Sequence, residues 1–462
     1  MNRKNIFRSF LRVVIAASFL FALHIGEMAL ADSAQAAGAV QKLNKDNWAP
    51  DTREAINKVI AANASKKGAY AVFDWDNTCI YPDTQETLLI YMIDNLSFKM
   101  SPAEFQYAFT HYIDTGLTEN LKVPTTDFAS PYKNTAGKAI NITSIAEDTV
   151  SDYTYFYNNY RAMNPNASGD MTLEDIQKTD QFKDFKAKVW FTYSALYDSF
   201  PTNVSYTWII YIMFTGLTSA EVRDLAVKAT DRALSLESVK VYFDSPESLP
   251  GKAGVISNTK AGSYIRGAMR LHPEIGNLYK ALEVNKIPVY ISTASLEDII
   301  DAVATNPKYG YNLPQNRVMG LRMKKDANGK FIAQYDTGDN YTINSVGGKT
   351  VNLNNILVKK FNANPVMISG DSDGDYPMMT ELSGLNDVKM VNDKKPVQLI
   401  LIVNRLKGGN VGALCRFAAG GVFGKTVVVM QGRDENTGLF IPTEKTVKLG
   451  KAYSESNLKL LP

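Results

Sequence analysis

Histidine and cysteine are scarce in this chain, and their scarcity excludes several kinds of site. The 462 residues contain three histidines and two cysteines, Cys79 and Cys415. A histidine-rich metal cluster and a four-cysteine zinc site are therefore excluded. The separation of the two cysteines gives no local signal for a disulfide, although a single bridge stays open. If the protein is an enzyme, its chemistry falls to carboxylates, hydroxyls, lysines and a hard cation.

The chain also lacks an excess of charge of either sign. Fifty Lys plus Arg face 47 Asp plus Glu, a formal net charge of +3, part of which belongs to the N-terminal basic residues. A nearly balanced surface does not attract a polyanion, so no nucleic-acid partner is expected. The hydrophobic fraction of 45% and the length indicate a globular protein of two to three domains, each able to bury a core.

The N-terminus has the layout of a secretory signal peptide. Four basic residues between Arg3 and Arg12 precede an uncharged run over 13–23, and alanine-rich patterns follow at 29–31 and 34–36. This arrangement predicts a signal peptide over 1–36 and export to a bacterial periplasm or the extracellular space. The run is shorter than the roughly 20 residues of a spanning helix, so an uncleaved anchor is the less favoured alternative. No stable membrane span is expected after the leader is removed.

Apolar runs that alternate with helical patterns predict the core. After an N-terminal helical segment over 37–66, the run Ala69–Phe73 has the character of a strand buried on both faces. Further strands are predicted near 289–293, 318–324, 330–335, 365–369, 399–403 and 426–430. Strands alternating with helices predict an α/β fold with a doubly wound, mainly parallel sheet, formed by 67–84 and 285–462.

The intervening region, 85–284, has amphipathic helical segments and predicts a large helical cap inserted after the first core strand. The apolar segment Val204–Leu217 is too short for a membrane span and predicts a buried helix. Thr218 and Glu221 form a capping-box pattern at the start of the next helix. About sixteen aromatics lie within 151–214. They are interpreted first as a helical core, with a cage for a cationic group as the alternative.

Two carboxylates follow the first predicted core strand. Asp74 and Asp76 are two residues apart, so their side chains project to the same side, whereas Trp75 points the other way. Paired carboxylates repel each other unless a cation neutralises them or one of them holds a proton. Either condition is useful in catalysis, because an ionised Asp can act as a nucleophile and a protonated one as an acid.

Three later motifs follow in a set order along the chain. They are Val289-Tyr290-Ile291-Ser292-Thr293-Ala294-Ser295, Gly348-Lys349, and Gly370-Asp371-Ser372-Asp373-Gly374-Asp375. With Asp74-Trp75-Asp76-Asn77-Thr78 before them, the chain resembles the haloacid dehalogenase-like superfamily of phosphotransferases. Within it, the chain is most similar in appearance to exported phosphorylcholine phosphatase-like and phosphoserine phosphatase-like enzymes.

The resemblance implies roles for the matching residues. Asp74 matches the nucleophile that becomes phosphorylated, and Asp76 matches the acid that protonates the leaving oxygen and then activates water. Thr293 and Lys349 match the residues that bind the phosphoryl group. Ser292 is a rival of Thr293, and Lys359 and Lys360 are rivals of Lys349. They are less favoured because of the motif pattern and the predicted helix end respectively.

The resemblance also implies a Mg²⁺ site. Its ligands match Asp74, Asp371 and the backbone carbonyl of Asp76, and Asp375 matches a second acidic position that binds the metal directly or through water. A contact from Asp373 stays open. Oxygen ligands of this kind are those that a hard octahedral cation prefers.

The implied function is Mg²⁺-dependent hydrolysis of a small phosphomonoester through an aspartyl-phosphate, with phosphorylcholine as a candidate substrate. Asp76 favours a phosphatase or mutase, because the dehalogenases of the superfamily lack this acid. The alternatives are a phosphotransferase or phosphomutase of the same fold, and a non-catalytic secreted protein that binds a metal or ligand. The sequence does not indicate the oligomeric state.

Overall fold

The computed structural model describes residues 40–110, 124–338, 340–421 and 425–462. The predicted signal peptide over 1–36 lies outside the described residues. From Leu43 to Pro462 the chain forms one compact unit. Within the described ranges, every helix is too short or too polar to cross a bilayer.

The strands include a central parallel sheet and several short antiparallel pairs. In chain order they are β1 (Ala71–Phe73), β2 (Ile80–Tyr81), β3 (Lys240–Val241), β4 (Ile265–Arg266), β5 (Arg270–Leu271), β6 (Val289–Leu296), β7 (Val318–Leu321), β8 (Met323–Lys325), β9 (Phe331–Tyr335), β10 (Met367–Gly370), β11 (Leu399–Val403), β12 (Val427–Gln431), β13 (Arg433–Asp434) and β14 (Leu439–Phe440). The central sheet has the order β12-β11-β10-β1-β6-β7, and its neighbouring strands pair in parallel. The predicted α/β fold is confirmed.

Helices cover this sheet and fill the region between β2 and β3. In chain order they are α1 (Pro50–Asn63), α2 (Thr84–Asp94), α3 (Pro102–Thr110), α4 (Ile142–Asn159), α5 (Leu173–Lys178), α6 (Asp180–Ser199), α7 (Thr202–Phe214), α8 (Ser219–Leu234), α9 (Asn258–Ala261), α10 (Pro273–Val284), α11 (Glu297–Ala304), α12 (Gly347–Leu353), α13 (Lys359–Phe361), α14 (Tyr376–Glu381) and α15 (Gly409–Ala419). A π-helical turn, Asn354–Val358, joins α12 to α13. The capping box of Thr218 and Glu221 begins α8 as predicted, and α7 is buried.

Both faces of the sheet are buried, which is why its strands have continuous apolar runs. On one face, Val72, Ile368 and Ile400 pack with residues of α12, α14 and α15 in a single core cluster. On the other face, α1 packs on β11 and β12, and α10 packs on β6. Phe73 meets Tyr279 of α10 at a ring-centroid distance of 5.0 Å. The carboxyl ends of the parallel strands therefore share one open edge, where ligands bind in such folds.

Two predictions about strands need correction. The strand predicted over 318–324 is two strands: β7 joins the central sheet, whereas β8 pairs with β9 around the predicted turn. The break falls at Arg322, whose side chain turns to Glu297 at 2.9 Å. The region predicted to be a helical cap also contains the two-residue strands β3, β4 and β5, and β5 pairs with β2 beside the motif of Asp74. Two-residue strands are too short to show a period in sequence.

Candidate active site

One cavity of about 310 Å³ lies at the carboxyl ends of the central strands. Asp74 follows β1, Thr293 lies in β6, Asp371 follows β10 and Arg405 follows β11 shortly after its last residue. All four line this cavity, as do Asp76, Lys349 and Asp375. The fold thus brings together every residue that the sequence predicts for the site. Residues from the helical region close the opposite side.

The loop after β1 is held firmly on the sheet. The backbone N–H of Asp74 donates to the carbonyl of Ser369 at 2.9 Å, which continues the pairing of β1 with β10. Trp75 is buried on the side away from the cavity, as predicted, and its indole N–H donates to Thr84 at 3.0 Å. Asn77 adopts a left-handed backbone with φ 65°. The guanidinium of Arg433 donates to both its carbonyl and its side-chain oxygen, at 3.0 and 3.1 Å.

Lys349 joins two of the carboxylates. Its ammonium donates to Oδ1 of Asp74 at 2.6 Å and to Oδ1 of Asp375 at 2.8 Å, and all three groups are buried. The preceding residue must be glycine, because a Cβ on Gly348 would lie 1.8 Å from the carbonyl oxygen of Ile343. Burial and the repulsion of Asp375 raise the pKa of Asp74, and Lys349 opposes that rise. Lys349 therefore favours the ionised form that a nucleophile needs.

Thr78 and Arg405 contact the third carboxylate, Asp371. The Thr78 hydroxyl lies 2.9 Å from Oδ2 of Asp74 and 3.0 Å from Oδ1 of Asp371, so it brings these oxygens beside each other. Arg405 donates to the other oxygen of Asp371 at 2.5 Å. Burial alone would raise the pKa of Asp371, but the positive charges of Arg405 and Lys407 outweigh burial and hold this pKa below its usual value. Asp371 is therefore ionised.

Asp375 makes hydrogen bonds that fix the neighbouring loop in place. Its Oδ2 accepts the backbone N–H groups of Asp371 and Ser372 at 3.0 and 3.1 Å, while Oδ1 accepts from Lys349. Close approach of the chain requires glycine at position 370, because a Cβ there would lie 2.5 Å from the Cβ of Asp375. The carboxylate thus shapes the loop that carries Asp371 and holds Lys349 at the same time.

The carboxyl group of Asp76 is oriented by two donors. Oδ1 accepts the backbone N–H of Thr84 at 2.7 Å, and Oδ2 accepts the hydroxyl of Ser295 at 2.6 Å. Burial, with repulsion from Asp83, raises the pKa of Asp76 to about 8, although both hydrogen bonds lower it. A carboxyl group with such a pKa carries a proton at neutral pH, which is the state that a general acid needs.

The alternative site residues named from the sequence lie outside the cavity. Ser292 is fully buried and accepts the side-chain N–H of Asn344 at 3.2 Å, whereas Thr293 lines the cavity. Lys359 and Lys360 are exposed at the end of the helical segment, and Lys360 donates to the hydroxyl of Tyr290. Asp373 accepts the backbone N–H of Val411 at the start of α15.

The donor set fits a hard divalent cation. Asp74, Asp371 and Asp375 each offer a carboxylate oxygen, and these oxygens lie within 4.8 Å of one another. All three groups are buried, and ligands of this kind suit Mg²⁺. Within the described residues, the side chain of Asp76 is not part of this group, and a metal contact from its backbone carbonyl stays a prediction. Asp375 accepts from four donors, whereas Asp74 and Asp371 accept from two each, so Asp74 and Asp371 are the better direct ligands.

The helical region contributes the cavity wall that faces the carboxylates. Glu86 of α2 accepts the hydroxyl of Tyr193 of α6 at 3.2 Å, and both line the cavity with Trp190, Tyr197 and Tyr206. Other aromatics of this region form its core: the ring of Tyr153 stacks on Phe105 at 4.0 Å. The interpretation as a helical core is confirmed for Tyr153 and Phe105, whereas a cage for a cationic group stays a prediction.

Several residues of the site were missed by sequence reasoning. Arg405 and Lys407 follow β11, Ser295 belongs to the quoted motif without an assigned role, and Glu86 lies at the start of α2. A search for charged residues after each predicted strand would have found the first two, because strand ends share one edge. Glu86 gives no such signal, since only the packing of α2 against α6 brings it to the cavity.

Comparison with known proteins gives one curated relative and several solved structures. No family model matches the chain. A phosphorylcholine phosphatase from Pseudomonas aeruginosa is 24% identical over 298 residues, which are 64% of this chain and 60% of that protein. The match therefore spans less than two thirds of the relative's length.

The chain is also similar to two solved structures. A conserved protein of unknown function from Anaerococcus prevotii is 29% identical, with a TM-score of 0.72 over 90% of this chain and 99% of that one. A phosphoserine phosphohydrolase-like protein from Francisella tularensis is 12% identical and covers 68% of this chain and 82% of its own. Its TM-score is 0.27. The parallel sheet, the motif order and the curated relative together confirm the resemblance to haloacid dehalogenase-like phosphatases.

Proposed function

We propose that this protein is a Mg²⁺-dependent phosphatase that hydrolyses a small phosphomonoester through an aspartyl-phosphate on Asp74. The observation that carries the proposal is the meeting of Asp74, Lys349 and Asp371 in one cavity with Asp76, whose carboxyl group is oriented by two donors. These groups come from distant parts of the chain. A set that contains a nucleophile, an acid, a cation and metal ligands suits phosphoryl transfer.

In the first half of the reaction, a carboxylate oxygen of Asp74 attacks phosphorus and the bond from phosphorus to the ester oxygen breaks. Asp76 gives its proton to that oxygen, which leaves as an alcohol. The ammonium of Lys349 neutralises charge on the nucleophile and the phosphoryl oxygens, and Thr293 donates its hydroxyl to one of them.

In the second half, Asp76 is ionised and accepts a proton from water as the water oxygen attacks phosphorus. The bond from phosphorus to the Asp74 oxygen breaks, inorganic phosphate leaves and Asp74 returns to its carboxylate form. Ser295 and the backbone N–H of Thr84 keep the carboxyl group of Asp76 in one orientation through both halves.

The metal would be held by Asp74, Asp371 and the backbone carbonyl of Asp76, with Asp375 supporting the loop. When bound, Mg²⁺ supplies Lewis-acid stabilisation of negative charge on the phosphoryl oxygens. Lys349 and Arg405 limit the repulsion among the carboxylates.

Phosphorylcholine is the substrate that we propose first. The curated relative is a phosphorylcholine phosphatase, and the cavity wall suits a cationic head group. Glu86 supplies negative charge, and Trp190, Tyr193, Tyr197 and Tyr206 supply aromatic surface beside it. A quaternary ammonium has no N–H to donate, so aromatic faces and a nearby carboxylate are what can hold it.

The test is a panel of phosphomonoesters assayed with the purified chain, with and without Mg²⁺. We expect release of inorganic phosphate only with the metal, and a higher kcat/KM for phosphorylcholine than for alkyl phosphates whose alkyl group is uncharged. Equal kcat/KM values would contradict phosphorylcholine as the preferred substrate. Transfer of the phosphoryl group to an added alcohol in place of water would favour a phosphotransferase. Binding of metal without turnover would favour the non-catalytic alternative.

Export to the periplasm or the extracellular space belongs to the same proposal. N-terminal sequencing of the protein isolated from its source tests it, with a new N-terminus near residue 37 expected. An intact Met1 on the mature protein would contradict export.

A further inference from the structure

Lys407 is a cationic residue of the cavity for which the reaction proposed above has no role. It follows β11 in the loop that also carries Arg405, it is partly buried, and it lines the cavity with Asp74 and Lys349. Among the described residues, no carboxylate oxygen lies within the 4.0 Å ion-pair distance of its ammonium. The cavity therefore holds a positive charge that no carboxylate of the described residues pairs directly.

The other cations next to the carboxylates differ from Lys407 in this respect. Lys349 is paired with Asp74 and Asp375, and Arg405 is paired with Asp371. The guanidinium of Arg405 repels the ammonium of Lys407 and, with burial, lowers its pKa to about 8. An unpaired charge in a partly buried position is unfavourable. An anionic ligand that pairs with the ammonium would lower this free-energy cost. At neutral pH most of the Lys407 side chains still carry the proton.

The loop that presents Lys407 is fixed on several sides. The buried side chain of Asn404 accepts the backbone N–H of Leu406 at 3.0 Å and donates to the carbonyls of Glu444 and Leu460. Leu406 is held at φ 53°, a left-handed conformation that is costly for a leucine. Such strain persists only where the surroundings determine it, and it is found most often near ligand sites.

We infer that Lys407 is a second cationic contact for the phosphoryl group, so that substrate phosphate and released inorganic phosphate are held by Lys349 and Lys407 together. The inference rests on the proposed function and extends it to a residue outside the resemblance. The two cations have different tasks. Lys349 is bound to the nucleophile Asp74, whereas Lys407 is free to pair with an oxygen that does not react.

The experiment measures binding of inorganic phosphate to the full chain by titration calorimetry in the presence of Mg²⁺. For Lys407→Met we expect the Kd for inorganic phosphate to rise about tenfold or more, as a lost charge-assisted contact implies. The KM of the substrate should rise by a similar factor, with a smaller change in kcat. Lys407→Arg should recover most of the affinity. The matched control is Lys389→Met, which removes an exposed lysine and should leave both constants unchanged.

Thermal unfolding of each variant controls for loss of the fold, and Lys407→Gln serves as a second variant if the methionine lowers the Tm. A Kd for phosphate that stays within twofold of the wild type in a folded variant overturns the inference while the proposed function stands. Binding of phosphate that depends on Lys407, without any hydrolysis by the wild type, supports the inference for the site and overturns the proposed activity. A wild type that binds no phosphate overturns the inference.

Discussion

The hydroxyl of Ser295 donates to Oδ2 of Asp76 at 2.6 Å, and this contact joins the end of β6 to the loop after β1. The backbone N–H of Thr84 donates to the other oxygen at 2.7 Å. The carboxyl group is therefore fixed in its plane, with its remaining lone pairs available to the cavity. A general acid acts only if its proton points at the leaving oxygen, so this orientation matters for the reaction.

Substitution of Asp76 or Ser295 should lower activity most for substrates with a poor leaving group. We expect Asp76→Asn to lower kcat/KM by about 10²–10⁴ for an alkyl phosphate, the usual contribution of general acid catalysis, because kcat/KM reports the first half of the reaction. The loss should be much smaller for p-nitrophenyl phosphate, whose leaving group needs no proton. Ser295→Ala should show the same selectivity to a lesser degree. The value of kcat should fall for both substrates, because Asp76 also activates water in the second half of the reaction. Steady-state kinetics with both substrates checks this, and equal losses of kcat/KM would contradict the role of Asp76 as acid in the first step.

The nucleophile can be tested by trapping. Asp74→Asn removes the attacking oxygen with little change of shape, and Lys349 keeps Asp375 as a partner. We expect no phosphate release and a Tm close to that of the wild type. Acid quenching during turnover of a radiolabelled phosphomonoester should leave label on the wild type but none on Asp74→Asn. Turnover by a folded variant would remove Asp74 from this role.

Two acidic residues of the metal site should respond differently to substitution. Asp371→Asn should weaken Mg²⁺ binding by about tenfold or more, because it removes a charged ligand, and it should also lower the Tm, because Arg405 loses its carboxylate partner. Asp375→Asn should have a smaller effect on Mg²⁺ affinity but should lower stability by about 1–3 kcal/mol, since Asp375 pairs with buried Lys349 and accepts two loop amides. Calorimetric Mg²⁺ titration separates the two residues, and thermal unfolding measures the stability that each contributes. Equal metal affinity in wild type and Asp371→Asn would count against Asp371 as a ligand.

The sheet and the central carboxylates could be predicted from sequence for the same physical reason. A parallel strand covered on both faces has a continuous apolar run, as in Ala71–Phe73 and Leu399–Val403, and the polar residue after it lies at the ligand-binding edge. Asp74 and Asp371 are such residues. Their meeting therefore follows from local patterns and the topology of parallel sheets.

The cavity wall and its cations could not be predicted in this way. Glu86 and Tyr193 are 107 residues apart, and their contact depends on how two helices pack. Arg433 reaches the loop of Asn77 from a two-residue strand near the C-terminus, which has no period to detect. Long-range side-chain packing of this kind leaves no local pattern.

Glu86 should determine preference for cationic substrates. Glu86→Gln keeps the size of the side chain and its contact with Tyr193 but removes the negative charge. We expect the KM for phosphorylcholine to rise about fivefold to tenfold. The kcat and KM for an alkyl phosphate with an uncharged alkyl group should stay near those of the wild type. Exposed Glu174 offers a control in Glu174→Gln. A similar change for both substrates would mean that Glu86 acts on the fold and not on selectivity.

Stability should depend on pH through Asp152 in α4. This side chain is buried next to Asp184 and near Lys188, which is paired with Asp148 and Asp184. Burial, with repulsion from Asp184, raises the pKa of Asp152 to about 9 from its ordinary value of 3.8. Between these two values the folded protein keeps a proton that the unfolded chain releases. The contribution of Asp152 to stability is therefore lost progressively as the pH rises through this window.

Asp152→Asn removes this titration and keeps an N–H donor in place of the protonated oxygen. We expect the Tm of the variant to equal that of the wild type near pH 4 and to exceed it by about 2–4 °C at pH 8. Thermal unfolding followed by circular dichroism across that range checks the prediction, with exposed Asp170→Asn as the matched control. A lower Tm for Asp152→Asn at pH 8 would mean that Asp152 is ionised there and paired with Lys188. In that case the buried lysine would balance three carboxylates instead of two, and the helical region would lose stability toward acid.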